Sequence, residues 1–164
     1  MTGEAGAHAY IGLGANLGDA SAALHAAFTA LGALPQTQWV TCSSIYRSAP
    51  VDSSGPDYLN AVAEIRTHLA PHDLLAHLQG IELQHGRERP YRNAPRTLDL
   101  DLLLYGNETL DTPTLTLPHP RLHERAFVLL PLAEIAPQVH IPGRAGMAAL
   151  LKGVVGQRVD RLQA

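Results

Sequence analysis

Asp99 and Asp101 stand two residues apart in the run Pro95-Arg96-Thr97-Leu98-Asp99-Leu100-Asp101-Leu102-Leu103-Leu104. Alternating polar and apolar types predict a strand, in which residues i and i+2 share a face at roughly 6.5–7 Å spacing. Thr97, Asp99 and Asp101 then share one face, and Leu98, Leu100, Leu102 and Leu104 the other. Two like charges side by side repel, and burying them unpaired is costly. The pair therefore reads as a platform for a hard divalent cation. Arg87, Arg89, Arg92 and Arg96 lie just upstream. Guanidinium forks beside a dicarboxylate metal site suit a polyphosphate. The plainer alternative makes the acids structural ion-pair partners of Arg96.

Other candidate groups carry less. His119 and His123 have the four-residue spacing of helical metal ligands, but Pro120 interrupts a helix through both. His119, flanked by prolines, reads better as a fixed donor to an anionic ligand. The run Gly12-Leu13-Gly14-Ala15-Asn16-Leu17-Gly18 has the wrong spacing for a dinucleotide fingerprint, and its glycines read as turn chemistry. Lys152 is the sole lysine, so no Walker-type phosphate loop exists and any nucleotide site must use arginines and metal. Cys42 is the single cysteine. No intrachain disulfide is possible, and the residue reads as a small buried side chain rather than a nucleophile. Phe127 fits a helix core position or a ring-stacking role equally well.

The elements that must hold these groups follow from periodicity and breakers. His8 to Gly14 suits a first strand, and Gly14 to Asp19 a loop. Asp19 or Ser21 caps a helix with Leu24, Phe28 and Leu31 on its buried face, ended by Gly32 and Pro35. A second strand is expected over about Gln38 to Arg47, and a third from Tyr58 to Thr67. Pro71 and Asp73 suit the first turn of a second helix, with Leu74, Leu78, Ile81 and His85 along one face and Gln79 and Glu82 to the side. The Asp99/Asp101 strand follows, then a turn at Tyr105-Gly106-Asn107-Glu108. A third helix is expected from about Glu124 to Ile135, and a short one near Met147 to Leu151. This order predicts an α+β domain, a ferredoxin-like antiparallel sheet with helices packed on one face. Residues 1–164 are expected to form one domain, with 1–7 a flexible leader. Loops 48–57 and 86–95 are rich in Pro, Gly and polar types, and the second, with its clustered arginines, is expected to be mobile until a nucleotide supplies negative charge.

With 164 residues, 46% of them hydrophobic, the chain can build a real core rather than stay disordered. A net charge of −3 argues against wholesale nucleic-acid binding. No apolar run approaches the roughly 20 residues of a membrane helix. No basic region followed by an apolar stretch marks a signal peptide. The expected compartment is the cytoplasm, and the expected state a monomer.

The segment Pro95-Arg96-Thr97-Leu98-Asp99-Leu100-Asp101-Leu102 resembles the signature of the 6-hydroxymethyl-7,8-dihydropterin pyrophosphokinase family of folate biosynthesis. The likeness extends to Gly14-Ala15-Asn16-Leu17-Gly18, Ser44-Ile45-Tyr46-Arg47-Ser48, Tyr58-Leu59-Asn60, Ile81-Glu82-Leu83-Gln84-His85-Gly86-Arg87 and Leu117-Pro118-His119 through Arg125-Ala126-Phe127. The resemblance implies that Asp99 and Asp101 hold two Mg²⁺ ions bridging the phosphates of ATP. It implies catalytic roles for Arg87 and Arg96. It places Gln79, Glu82, Arg89, Arg92, Leu102, Thr116, His119 and Arg125 around ATP. A reduced pterin is then held between Tyr58 and Phe127, read by Asn60, with Ser48, Ala49 and Val51 along the pocket edge. Pyrophosphate would pass from ATP to the pterin hydroxymethyl group, releasing AMP. Asn93 replaces a tryptophan and Thr114 an arginine found in some members, and the loops after Val51 and Arg89 are each about one residue shorter than in a common bacterial form. None of these departures touches the metal pair. Two rival readings remain: a metal-dependent phosphohydrolase, and a nucleotide-binding module without chemistry.

Overall fold

The structure is a computed structural model describing residues 6–16, 20–49, 57–85 and 98–162. Its elements run β1 (Ala7–Ala15), α1 (Ala20–Gly32), β2 (Thr37–Cys42), β3 (Tyr46–Ser48), β4 (Tyr58–Thr67), α2 (Pro71–His85), β5 (Asp99–Tyr105), β6 (Leu110–Asp111), β7 (Thr116–Leu117), α3 (Ala126–Ile135), α4 (Met147–Lys152) and β8 (Val159–Arg161). A 3-10 turn over Leu122–Glu124 precedes α3. The main sheet has the order β5-β1-β4-β3-β8, with β2 also paired to β4. Every pairing is antiparallel. The central strands β1 and β4 and the connections through α1 and α2 give the expected ferredoxin-like α+β sheet.

The helices lie on both faces, not one. Ala9, Ile11, Leu13 and Ala15 of β1 pack against Leu24, Ala27 and Leu31 of α1 and Leu74, Leu78 and Ile81 of α2. On the other face Val62, Leu103 and Leu104 meet Leu122, Val128, Leu129, Leu132 and Met147. The short apolar run of α3 was legible as a helix, but its side of the sheet was not. Leu24, Leu31, Leu74 and Leu78 are fully buried, and truncating any one to alanine is expected to cost about 2–5 kcal/mol.

The second strand breaks where one continuous strand was expected. Ser43 accepts the Val62 N–H at its hydroxyl over 3.0 Å, while its own N–H bonds the Val62 carbonyl at 2.8 Å. A side chain thus replaces one rung of the ladder, and pairing resumes only at Tyr46. A second departure falls on β5. The β1–β5 register shifts between Tyr10 and Ile11, a bulge that inserts Leu103 and turns Leu104 onto the same side of the core as Leu103. Leu104 therefore does not share the face of Leu98, Leu100 and Leu102. The β1 strand runs through Gly14 and Ala15, so Gly12 and Gly14 are strand residues rather than turn residues. Ser21 lies inside α1, not at its cap. Glu124 is in the 3-10 turn, and extended Arg125 separates it from α3. Among the described residues no helix is long and apolar enough to cross a membrane.

Candidate active site

The site lies on the α3 side of the sheet, at the end where α3 leaves the strands uncovered. Asp99 and Asp101 alternate with buried Leu98, Leu100 and Leu102, so both carboxylates stand on the uncovered face. Asp99 is half-buried and Asp101 exposed. On β1 the residues directly opposite are Gly14 and Gly12. On β4 the same row continues with Asn60 beside Gly14 and Val62 beside Gly12. Removing two side chains from the central strand leaves a trough between the acids and Asn60.

That trough is a cavity of about 420 Å³. Its lining includes Ser48, Ala49, Tyr58, Asn60, Asp99, Asp101, Arg125 and Phe127, all singled out in the sequence. Ser48 donates from Oγ to Oδ1 of Asn60 at 2.6 Å, with both residues buried. This bond spends the amide oxygen and leaves the Nδ2 hydrogens as Asn60's remaining donors. The Arg125 guanidinium carbon stands 5.5 Å from the centre of the Phe127 ring, within cation–π range. Arg125, expected among the ATP contacts, lines this cavity rather than the next one.

A second cavity of about 260 Å³ opens on the other side of Asp101. Leu102, Thr114, Thr116 and His119 line it, and Asp101 lines both. His119 is fixed by its backbone N–H to the Leu103 carbonyl at 2.9 Å. Its Nδ1 accepts the Arg121 N–H at 3.1 Å, so the neutral ring carries its proton on Nε2. Burial holds its pKa below the ordinary value; the Asp101 charge opposes this, and Arg125 and Arg121 reinforce it. A neutral Nε2–H donor results, as the flanking prolines suggested. His123 does not join it: its Nε2 lies 3.6 Å from a Glu124 oxygen.

Glu82 is buried, not lateral, and its Oε2 accepts the Leu100 N–H at 2.7 Å. It thereby fixes the backbone between the two aspartates. Gln79 is exposed and lines neither cavity. Val51, Arg87, Arg89, Arg92, Arg96 and Asn93 lie outside the described residues. Cys42 is half-buried rather than buried. Burial and the Glu134 charge push its thiol up, away from a reactive thiolate. A groove of about 780 Å³ between α1 and α2 contains none of the candidate residues.

Sequence reasoning missed Gly12, Gly14 and Asn16 as cavity residues. Their signal was the glycine alternation opposite Ile11 and Leu13, which a turn reading obscured. Asn16 Oδ1 is buried with no hydrogen-bond partner, an acceptor left for a bound donor. Among the described residues no group of three His, Cys, Asp or Glu side chains gathers as a metal cage. Two carboxylates still fit Mg²⁺, which keeps several waters and completes its shell with substrate phosphates.

Two cavities that share the Asp101 carboxylate can hold two ligands side by side. Comparison with known proteins gives the family. The sequence profile of the 7,8-dihydro-6-hydroxymethylpterin-pyrophosphokinase (HPPK) family matches residues 10–137. A Haemophilus influenzae protein named 2-amino-4-hydroxy-6-hydroxymethyldihydropteridine pyrophosphokinase is 46% identical over 155 residues, covering 94% of this chain and 97% of its own. A Pseudomonas aeruginosa protein of the same name is 44% identical over 154 residues, covering 93% and 95%. A solved HPPK-DHPS structure in complex with substrates shares the fold at a TM-score of 0.73 and 12% identity, over 90% of this chain. Plasmodium falciparum HPPK-DHPS with pteroate superposes at a TM-score of 0.70 and 12% identity, over 89% of this chain. The match takes in only 43% and 42% of those two solved chains, and at that identity it speaks for the fold alone. The chain belongs to the HPPK family.

Proposed function

We propose that the two cavities hold the two substrates of a pyrophosphate transfer, with the reaction centred on Asp101 between them. The chain is a pyrophosphokinase of folate biosynthesis: it transfers pyrophosphate from ATP to 6-hydroxymethyl-7,8-dihydropterin, giving AMP and the pterin diphosphate. The reduced pterin takes the 420 Å³ cavity. Its flat ring lies against Phe127 and Tyr58, and its polar edge meets the Asn60 donors, the Asn16 acceptor and the backbone around Ser48 and Ala49. The adenine end of ATP takes the cavity of Leu102, Thr116 and His119, with Glu82 holding the Leu100 backbone in its wall. The observation that carries this division is that Asp101 lines both cavities.

Asp99 and Asp101 would hold two Mg²⁺ ions, which orient the phosphates and neutralise developing charge when bound. The pterin hydroxyl oxygen forms a bond to the β-phosphorus and its proton is released to solvent. The bond from that phosphorus to the oxygen bridging to the α-phosphate breaks, and AMP leaves with that oxygen. Arg87, Arg89, Arg92 and Arg96 supply charge to the transferred group together with Arg125. Phosphoryl-type transfer depends mainly on such positioning and charge stabilisation. The protein acts as a monomer in the cytoplasm, without nucleic-acid or membrane partners.

The test is incubation with ATP, Mg²⁺ and 6-hydroxymethyl-7,8-dihydropterin. AMP formed only when pterin is present supports the assignment. Phosphate released without pterin supports a phosphohydrolase instead, and no turnover supports a binding module.

A further inference from the structure

The first residues of α3 are cavity residues: Arg125 at the N-cap, then Phe127 and Val128. Helix N-caps favour Ser, Thr, Asp or Asn, whose short side chains accept exposed N–H groups. An arginine side chain has no acceptor, and Arg125 makes no capping bond. Its backbone is extended, with φ −122° and ψ 113°. The capping position has been given to a residue whose side chain is needed in the cavity.

The missing cap comes from the far end of the chain. Gln157, in the segment leading into β8, accepts the Ala126 N–H at Oε1 over 2.9 Å. From Nε2 it donates to the Glu124 carbonyl over 2.7 Å. These two bonds grip the peptide groups on either side of Arg125. Gln157 is itself held in a turn by its N–H to the Val154 carbonyl at 3.0 Å, and Val154 is buried in the second core cluster. The clamp is thus anchored to the core, not to a floating tail. Gln157 does not line the cavity, and it lies beyond the 10–137 segment matched by the family profile.

We infer that Gln157 is a positioning residue for the pterin site: it sets where Arg125 and Phe127 enter the cavity by replacing the N-cap of α3. The inference rests on the assignment of the pterin to the larger cavity. A cap that serves only stability would move melting temperature, turnover and both Michaelis constants together. A positioning clamp moves the constant of the substrate that touches Phe127.

The experiment compares wild type, Gln157→Ala and Arg158→Ala. Arg158 is the neighbour, 89% exposed and paired with Asp160 at 3.4 Å. Steady-state kinetics with each substrate varied, thermal melting and hydrogen exchange over residues 124–129 without ligand are measured on all three. Gln157→Ala is expected to raise the pterin KM about five- to tenfold, the worth of one net hydrogen bond. Its ATP KM should stay within about twofold on the same scale, and its Ala126 amide should exchange faster. Arg158→Ala should match wild type. An unmoved pterin KM in Gln157→Ala, or equal losses in both constants alongside a lower melting temperature, overturns the inference. Wild-type turnover is measured first. Its absence overturns the substrate assignment, a failure distinct from an active wild type whose pterin KM ignores Gln157.

Discussion

Gly14 on β1 is paired in register with Asp99 on β5, and with Asn60 on β4. Directly opposed residues of an antiparallel pair place their Cβ atoms about 4.5–5.5 Å apart. Any side chain at position 14 would therefore stand between the acid proposed to hold metal and the amide proposed to read the pterin. A Cβ there would lie 3.4 Å from Asn60 Nδ2 and 3.8 Å from Tyr58 Cδ2. The glycine is needed for space, since its φ is not positive.

Gly14→Val should accordingly fold, because those contacts are ordinary van der Waals distances and valine favours strands. Its methyl groups fill the trough. Pterin affinity is expected to drop at least about tenfold, the effect of roughly 1.4 kcal/mol. Melting temperature should barely change. Calorimetric titration with pterin beside a thermal melt decides it: undiminished pterin binding would return Gly14 to plain strand chemistry.

The acid pair yields a sharper outcome. Asp99→Asn and Asp101→Asn keep the shape and remove one charge each from the phosphate side of the reaction. Turnover is expected to fall by about 10²–10³-fold or more, on the scale of removing one preorganised electrostatic contact. Circular dichroism should remain that of wild type, because neither side chain belongs to the core. Near-normal turnover at saturating Mg²⁺ in either variant would remove the metal assignment.

The acid pair was readable because its face follows from period-two alternation, which the strand obeys through Leu102. Beyond that point the bulge at Leu103 broke the period, and only the partner strand could reveal it. The strand from Tyr58 to Thr67 was legible to the residue from its β-branched and aromatic content and its flanking breakers. The interruption at Ser43 was hidden, because it depends on a hydroxyl meeting Val62 from another strand. Asn16 and the two glycines were visible as residue types, but their role as a floor needs the register with Asp99, Asp101 and Asn60. Long-range pairing, rather than local propensity, held the missing information. The same holds for Gln157, which acts across more than thirty residues of sequence on α3.

Ser48 and Asn60 give a test confined to one substrate. The Ser48 hydroxyl bonds Asn60 Oδ1 at 2.6 Å and so fixes which end of the amide faces the cavity proposed for the pterin. Ser48→Ala leaves a buried acceptor unsatisfied and frees the amide to turn over. A loss of about 1 kcal/mol in pterin binding is expected, with ATP binding unchanged, and Ser48→Thr should restore it by returning the hydroxyl. Equal weakening of both ligands by calorimetry would point to general loosening of β3 instead.

Glu134 ties α3 to the strand break before β3, and its charge makes a pH prediction. Its carboxylate accepts the Ser44 N–H at 3.0 and 3.1 Å, the Ser44 hydroxyl at 2.9 Å and the Tyr46 hydroxyl at 2.7 Å, with Arg161 at 3.4 Å. Burial alone would push this carboxyl up. The hydrogen bonds from Tyr46 and Ser44, with the Arg161 charge, outweigh burial and hold it below its ordinary 4.5. On the other side of the pair, burial and then the bond and charge of Glu134 push the Tyr46 hydroxyl up to about 12, so it remains a donor. A native value below the unfolded one means the unfolded chain takes up the proton first as pH falls. Stability from this group is therefore complete above the ordinary value and is lost as pH drops through the lowered native one. Glu134→Gln should cost roughly 0.5–1 kcal/mol at neutral pH, since charge-assisted bonds become neutral ones but water screens the charge of this exposed residue. The gap from wild type should narrow progressively below the ordinary carboxylate value of 4.5. Urea unfolding of both proteins from neutral to acid pH measures it. A gap that stays constant across that range would show that the Glu134 charge contributes nothing to holding α3 against β3.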